Sequence, residues 1–149
     1  MGDGEEMIHS ISDIYNALYT TISTITGQSY VFDRSPQVNF SEGQSGVYRY
    51  YRPSRIAKER RSQGTPETVV EFEVGILSLK PSEVEITSAE DELDGLLQSL
   101  LRIGQIADNV LVYAANTAPT NTQYVSDEGL SAEVPVLACV ATIAVRAYY

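Results

Sequence analysis

A chain of 149 residues, 43% apolar and 20% charged, holds one ordinary globular core and no second domain of useful size. Its formal charge of −10 disfavours non-specific contact with nucleic acid or an anionic membrane surface, and its one cysteine excludes an internal disulfide. No stretch approaches the roughly 18–20 apolar residues of a membrane span, and the acidic start MGDGEEMIHS lacks the basic region of a signal peptide, so synthesis in a reducing cytoplasm is expected.

The first element is an amphipathic helix from Met7 to Ile25. Ile8, Ile11, Tyr15, Leu18, Ile22 and Ile25 recur at steps of three and four, and Gly27 supplies the stop. Tyr30–Phe32 is a short extended piece, followed by a Pro/Gly/Ser-rich loop from Asp33 to Gly46. A hairpin comes next. Its first strand, Val47 to about Arg52, is aromatic and basic, and Pro53 closes its regular part. The returning strand, Thr68 to Leu79, alternates Val70, Phe72, Val74 and Ile76 with Glu71 and Glu73, so one side is buried and the other solvated. The connection from Ser54 to Pro66 is long beside the usual two to five or so residues of a hairpin loop.

Lys80-Pro81-Ser82 breaks the strand, and a second helix is expected from about Ser88 to Ile103. Thr87 with Glu90 fits a capping box, Ser88 is the alternative cap, and Gly104 is the stop. Leu93, Leu96, Leu97, Leu100 and Ile103 form its apolar face. Glu90, Asp91, Glu92 and Asp94 suit the positive end of the helix dipole. A strand at Asn109–Ala115 leads through a polar loop, Asn116–Glu133, to the terminal strand Ala132–Tyr149. From Leu137 every odd position there is apolar, through Cys139, Ala141, Ile143, Val145, Ala147 and Tyr149. Alternation over a dozen residues exceeds the typical strand of about five or six. This strand is therefore expected at the centre of a sheet or reaching past the domain edge. The order of elements predicts an α+β domain: a largely antiparallel or mixed sheet, two amphipathic helices packed on it, and a long-looped hairpin at 47–79. The expected buried sheet face comprises Val70, Phe72, Val74, Ile76, Leu137, Ile143 and Val145, and Cys139 is expected to be a small core side chain.

His9 is the only histidine, which excludes a catalytic triad and a multi-histidine metal site. The chain has no glycine-rich phosphate loop and no zinc-protease motif. The carboxylates near the second helix are accounted for by capping and solvation, so no catalytic, cofactor or metal residues are assigned. One cluster resists so plain a reading. Arg49, Arg52, Arg55, Lys58, Arg60 and Arg61 are six of the ten basic residues and lie within thirteen positions. With Glu59 counted, 49–61 carries +5 and the rest of the chain −15. The planar guanidinium fork suits carboxylate or phosphate partners. Three readings stand: a solvated loop, an arm that docks on the acidic body of an identical neighbour, or contact with nucleic-acid phosphates.

The layout as a whole resembles the tail-terminator, or tail-completion, proteins of long-tailed bacteriophages. What carries the resemblance is an N-terminal amphipathic helix, the hairpin Val47–Leu79, a Pro-containing break, the acidic-capped helix Ser88–Ile103 and a C-terminal strand ending in aromatics. It covers nearly the whole chain, 1–149, as a single domain and rests on element order and length, with no short motif. It implies a homo-oligomeric ring, usually a hexamer, at the head-proximal end of a tail. Such a ring ends tail-tube polymerisation and meets the tail-tube protein on one side and head–tail connector or neck proteins on the other. DNA would only pass through its lumen, no membrane is involved, no cofactor is implied, and the protein belongs to the virion. The chain is somewhat longer than small members of that family and its hairpin loop is unusually basic, which leaves open another neck or tail-tube component. A reading of a different class is a small α+β enzyme or ligand-binding domain, which a pocket lined by Tyr30, Tyr113 or Tyr124 would favour.

Overall fold

The computed structural model describes residues 10–34, 36, 47–60, 66–79, 83–117, 121–126 and 133–148. Its elements in chain order are α1 (Ile11–Thr26), β1 (Val31–Phe32), β2 (Val47–Arg60), β3 (Pro66–Leu79), α2 (Glu83–Ile103), β4 (Gln105–Ala107), β5 (Val110–Thr117), β6 (Asn121–Ser126) and β7 (Glu133–Tyr148). The strands form one mixed sheet in the order β1-β2-β3-β7-β5-β4, with β6 also paired to β7. This is the α+β architecture expected from the pattern.

The sixteen-residue β7 holds the sheet together. On one side β3 pairs with it from Glu67↔Tyr148 to Leu79↔Val136. On the other, β5 covers Ala141–Ala147 and β6 covers Glu133–Ala138. The strand is thus central, as its length required. Cys139, Ala141, Ile143, Val145 and Ala147 are buried beneath the helices together with Val70, Phe72, Val74 and Ile76 of β3. The side chain of Leu137 lies outside those described. Because β3 and β5 are both antiparallel to β7, they run parallel to each other, and α2 is the crossover between them.

Both helices pack on the face defined by these residues. Ser10 caps α1 by accepting the Asp13 N–H at 3.3 Å, and Gly27, in the left-handed region, closes it. Residues before Ser10, including Ile8 and His9, lie outside the described part. The stripe is broader than the three-four count suggests, since Ile14 is fully buried with Leu18 and Ile22. The threonines of its C-terminal half are tolerated because Thr21, Thr24 and Thr26 return their hydroxyls to carbonyls four residues earlier.

Three sequence expectations are corrected. First, α2 begins at Glu83, so Thr87 and Ser88 lie within it and do not cap it; Ile86 and Ala89 extend the apolar face backwards, and Glu83 and Glu85 occupy the first turn. Ile103, at the last turn, is half exposed. Second, 54–66 is mostly strand. β2 continues to Arg60 and β3 starts at Pro66, leaving 61–65 as the connection. Pro53 bends β2 without ending it: the register shifts between Pro53 and Arg55, a bulge that accommodates a residue lacking an N–H. Third, the polar segment 116–133 contains β6, and a short edge strand, β4, joins the sheet; the short extended piece expected at Tyr30–Phe32 is present as β1.

Phe72 is fully buried and meets Tyr15 edge-on at 5.7 Å. Phe72→Ala is expected to lower unfolding free energy by about 3–5 kcal/mol in urea titrations; an unchanged midpoint would remove it from the core. Cys139, also buried, should resist a thiol reagent in the native protein and react only on unfolding.

Candidate functional site: the arginine-rich strand

The basic segment is part of the sheet. Two residues face one another across an antiparallel pair on the same side, so the β2–β3 register sets the partners of each cation. Arg52 stands opposite Glu73, and Arg55 opposite Glu71. Arg52 donates through Nε and Nη2 to the Glu73 carboxylate at 3.1 and 3.2 Å, and through Nη1 to the Arg34 carbonyl at 2.8 Å. Arg55 donates to Glu71 at 3.0 Å, in an ion pair whose arginine side chain is 59% exposed. A third pair crosses from β7 to β3 on this outer face, with Arg146 Nε 3.2 Å from Glu67 Oε1 but not aligned as a hydrogen bond. The Arg146 guanidinium lies over the Tyr113 ring, 4.2 Å from its centroid. The alternating glutamates of β3 are therefore counter-ions for arginines on both flanking strands.

Arg49 points to the other face, toward the helices. Its Nε and Nη2 hold both oxygens of Glu92 at 2.7 Å, a bidentate fork from β2 to the middle of α2. Tyr30, buried just before β1, donates its hydroxyl to the same carboxylate. One carboxylate thus ties α2 to β2 and to the chain entering β1. Burial pushes the Glu92 carboxyl upward, but the bonds from Arg49 and Tyr30, with the guanidinium charge, outweigh it and hold the group below the ordinary carboxylate range. Burial and then the Glu92 bond push the Tyr30 hydroxyl well up, and it stays a donor.

Two further tyrosines of β2 complete the network. Tyr48 donates to Asp33, and burial followed by this bond pushes its hydroxyl up to about 12. Tyr50 donates to Glu73 at 2.6 Å. Its ring covers Gly75 directly opposite, where a Cβ would lie 2.6 Å from ring atoms, so only glycine admits it.

Of the sequence-predicted cluster, Arg49, Arg52 and Arg55 are engaged within the chain. Lys58 stands opposite Thr68, while the side chain of Arg60 and all of Arg61 lie outside the described residues. Of the tyrosines named for a pocket, Tyr30 and Tyr113 do not converge. Tyr30 is in the core under the helices, Tyr113 is under Arg146 on the opposite face, and the side chain of Tyr124 is outside those described. Among the described residues, no group of three or more His, Cys, Asp or Glu is placed to hold a metal ion, and no helix is long and apolar enough to cross a membrane. Sequence reasoning missed Glu92, because its place in an acidic run matched a helix cap. The usable signal was its position one residue before Leu93, at the border of the apolar stripe, where a half-buried carboxylate needs a partner. No protein-family model matches the chain, and no curated protein matches it.

The Glu92 junction has a pH signature. A carboxyl with a depressed folded-state pKa stabilises fully above its ordinary value of 4.5 and loses that contribution as pH falls through the folded value. Glu92→Gln should therefore be less stable than the parent at pH 7, and the gap should narrow steadily below pH 4.5. Urea midpoints of both proteins from pH 7 to pH 3 check this; a gap independent of pH would remove the ionised carboxylate from the junction.

Proposed function

We propose that this chain is a structural virion protein, the ring-forming subunit that closes the head-proximal end of a phage tail. The observation that carries the reading is the form of the sheet. Both helices cover one face, and among the described residues the outer side of β2 beyond Tyr51 and the outer side of β6 are paired with no strand. Open edges at opposite ends of one sheet suit a subunit that repeats head-to-tail, the kind of contact that closes into a ring when its rotation permits. The order of helix, hairpin, helix and terminal strand supports the tail-terminator position, with the tail tube and the neck proteins as neighbours and DNA passing through the lumen. The polar side chains support a scaffold more than a reaction centre, since the arginines of β2 that the structure describes in ion pairs are bound to glutamates of their own chain.

Purified protein at micromolar concentration should give particles at a whole-number multiple of 16.4 kDa, six being expected, and closed rings in negative stain. A species that remains a monomer at every concentration, and does not bind purified tail tubes, would overturn the proposal.

A further inference from the structure

β2 is covered unevenly along its outer edge. β1 pairs only with Tyr50 and Tyr51, and Asp33 N–H adds one bond to the Tyr51 carbonyl at 3.1 Å. Pro53 and the bulge then divide the strand, and among the described residues no strand pairs the outer side of Arg55–Arg60. An open edge is a template for another strand, which proteins usually defend with proline, bulges and charge. Here the proline and the bulge sit at the start of the open part, and the regular six-residue stretch after it carries the charges of Arg55, Lys58, Glu59 and Arg60. Ile56 within that stretch is 43% exposed although it stands opposite fully buried Val70. At the far end of the sheet, β6 also has six residues, pairs among the described residues with β7 alone, and contains no charged residue.

We propose that successive copies join by pairing Arg55–Arg60 of one copy with β6 of the next, so that the sheet continues across the interface. The inference rests on the ring reading and specifies its contact. Two observations select this pair of edges. The first is direction. β2 is antiparallel to β3, β3 to β7 and β7 to β6, so β6 runs opposite to β2. A neighbour added in the same orientation therefore presents β6 antiparallel to β2, the geometry of the stronger ladder. The second is charge. Pairing of two β2 edges would bring together two copies of a stretch with three cations and one acid, and like charges close across a pair are destabilising. The uncharged β6 imposes no such conflict, and it belongs to a body that carries −15 outside 49–61.

The test is backbone hydrogen exchange read by mass spectrometry, on the assembled protein and on the same protein diluted to monomer. Peptides covering 55–60 and 121–126 should both slow by about tenfold or more on assembly, while the β3–β7 ladder is unchanged. Ile56→Lys, which places a further charge at an exposed position of the open stretch, should weaken the oligomer yet keep the monomer's circular dichroism and melting midpoint. Should that variant fail to fold, exchange in the parent decides alone. If the parent forms rings but either segment exchanges as fast as in the monomer, the edge pairing is wrong and the ring reading survives. If the parent is a monomer throughout, the ring reading fails and takes this contact with it.

Discussion

The fold depends on β7 being buried on one face along most of its length and paired on both sides. A strand with period-two alternation has one register that puts its apolar set inward, and a slip by one residue would expose Ile143 and Val145 while burying Thr142 and Arg146. That constraint fixes β3 on one flank and β5 with β6 on the other. It also makes β2–β3 and β5/β6–β7 two long hairpins lying side by side. Once they are in place, α1 and α2 have a single apolar surface to cover, and Ile14, Leu18, Ile22, Leu93, Leu96 and Leu100 fill it.

The same registers decide where the charge goes. Cations concentrated in one stretch of a strongly acidic chain look like an unattached arm when read along the sequence. Folded, the described part of the stretch is a strand in which Arg52 and Arg55 meet the glutamates of β3 on one face and Arg49 meets Glu92 on the other. The partly exposed outer pairs add little to stability individually. The Arg49–Glu92–Tyr30 junction is more enclosed and joins three separate elements, so it bears on how α2 sits against the sheet edge. Arg52 and Arg55 thus have a structural cause in the alternating acids of β3, and among the described residues no strand pairs the outer side of Arg55–Arg60.

Much of this was legible in the sequence where burial is one-sided. β7, the inward residues of β3, the leucine face of α2 and the glycine stops at Gly27 and Gly104 all follow from periodicity and from the left-handed backbone that those glycines adopt. The misreadings occur where pattern is weak or ambiguous. Residues 47–60 alternate poorly as a whole because a bulge between Pro53 and Arg55 shifts the parity midway, and cations with a cross-strand partner resemble solvated ones. β6 has polar residues and turn-like neighbours, and it is a strand because β7 is long enough to pair with it. The start of α2 was placed five residues late because Thr87 and Glu90 match a cap motif that tertiary packing overrides. Glu92 was hidden for the same reason, its partner lying 43 residues away in sequence.

The account therefore turns on whether the arginine-rich segment is sheet or free arm. Limited trypsin digestion of the native protein measures this directly, because trypsin cleaves an extended, accessible chain after arginine and lysine. If β2 is a strand held by β3 and its glutamates, the bonds after Arg49, Arg55 and Lys58 should survive until the protein unfolds globally, with cleavage there tracking the urea midpoint. Rapid cutting after Arg55 and Lys58 in the fully folded protein would contradict it and return the segment to a free loop.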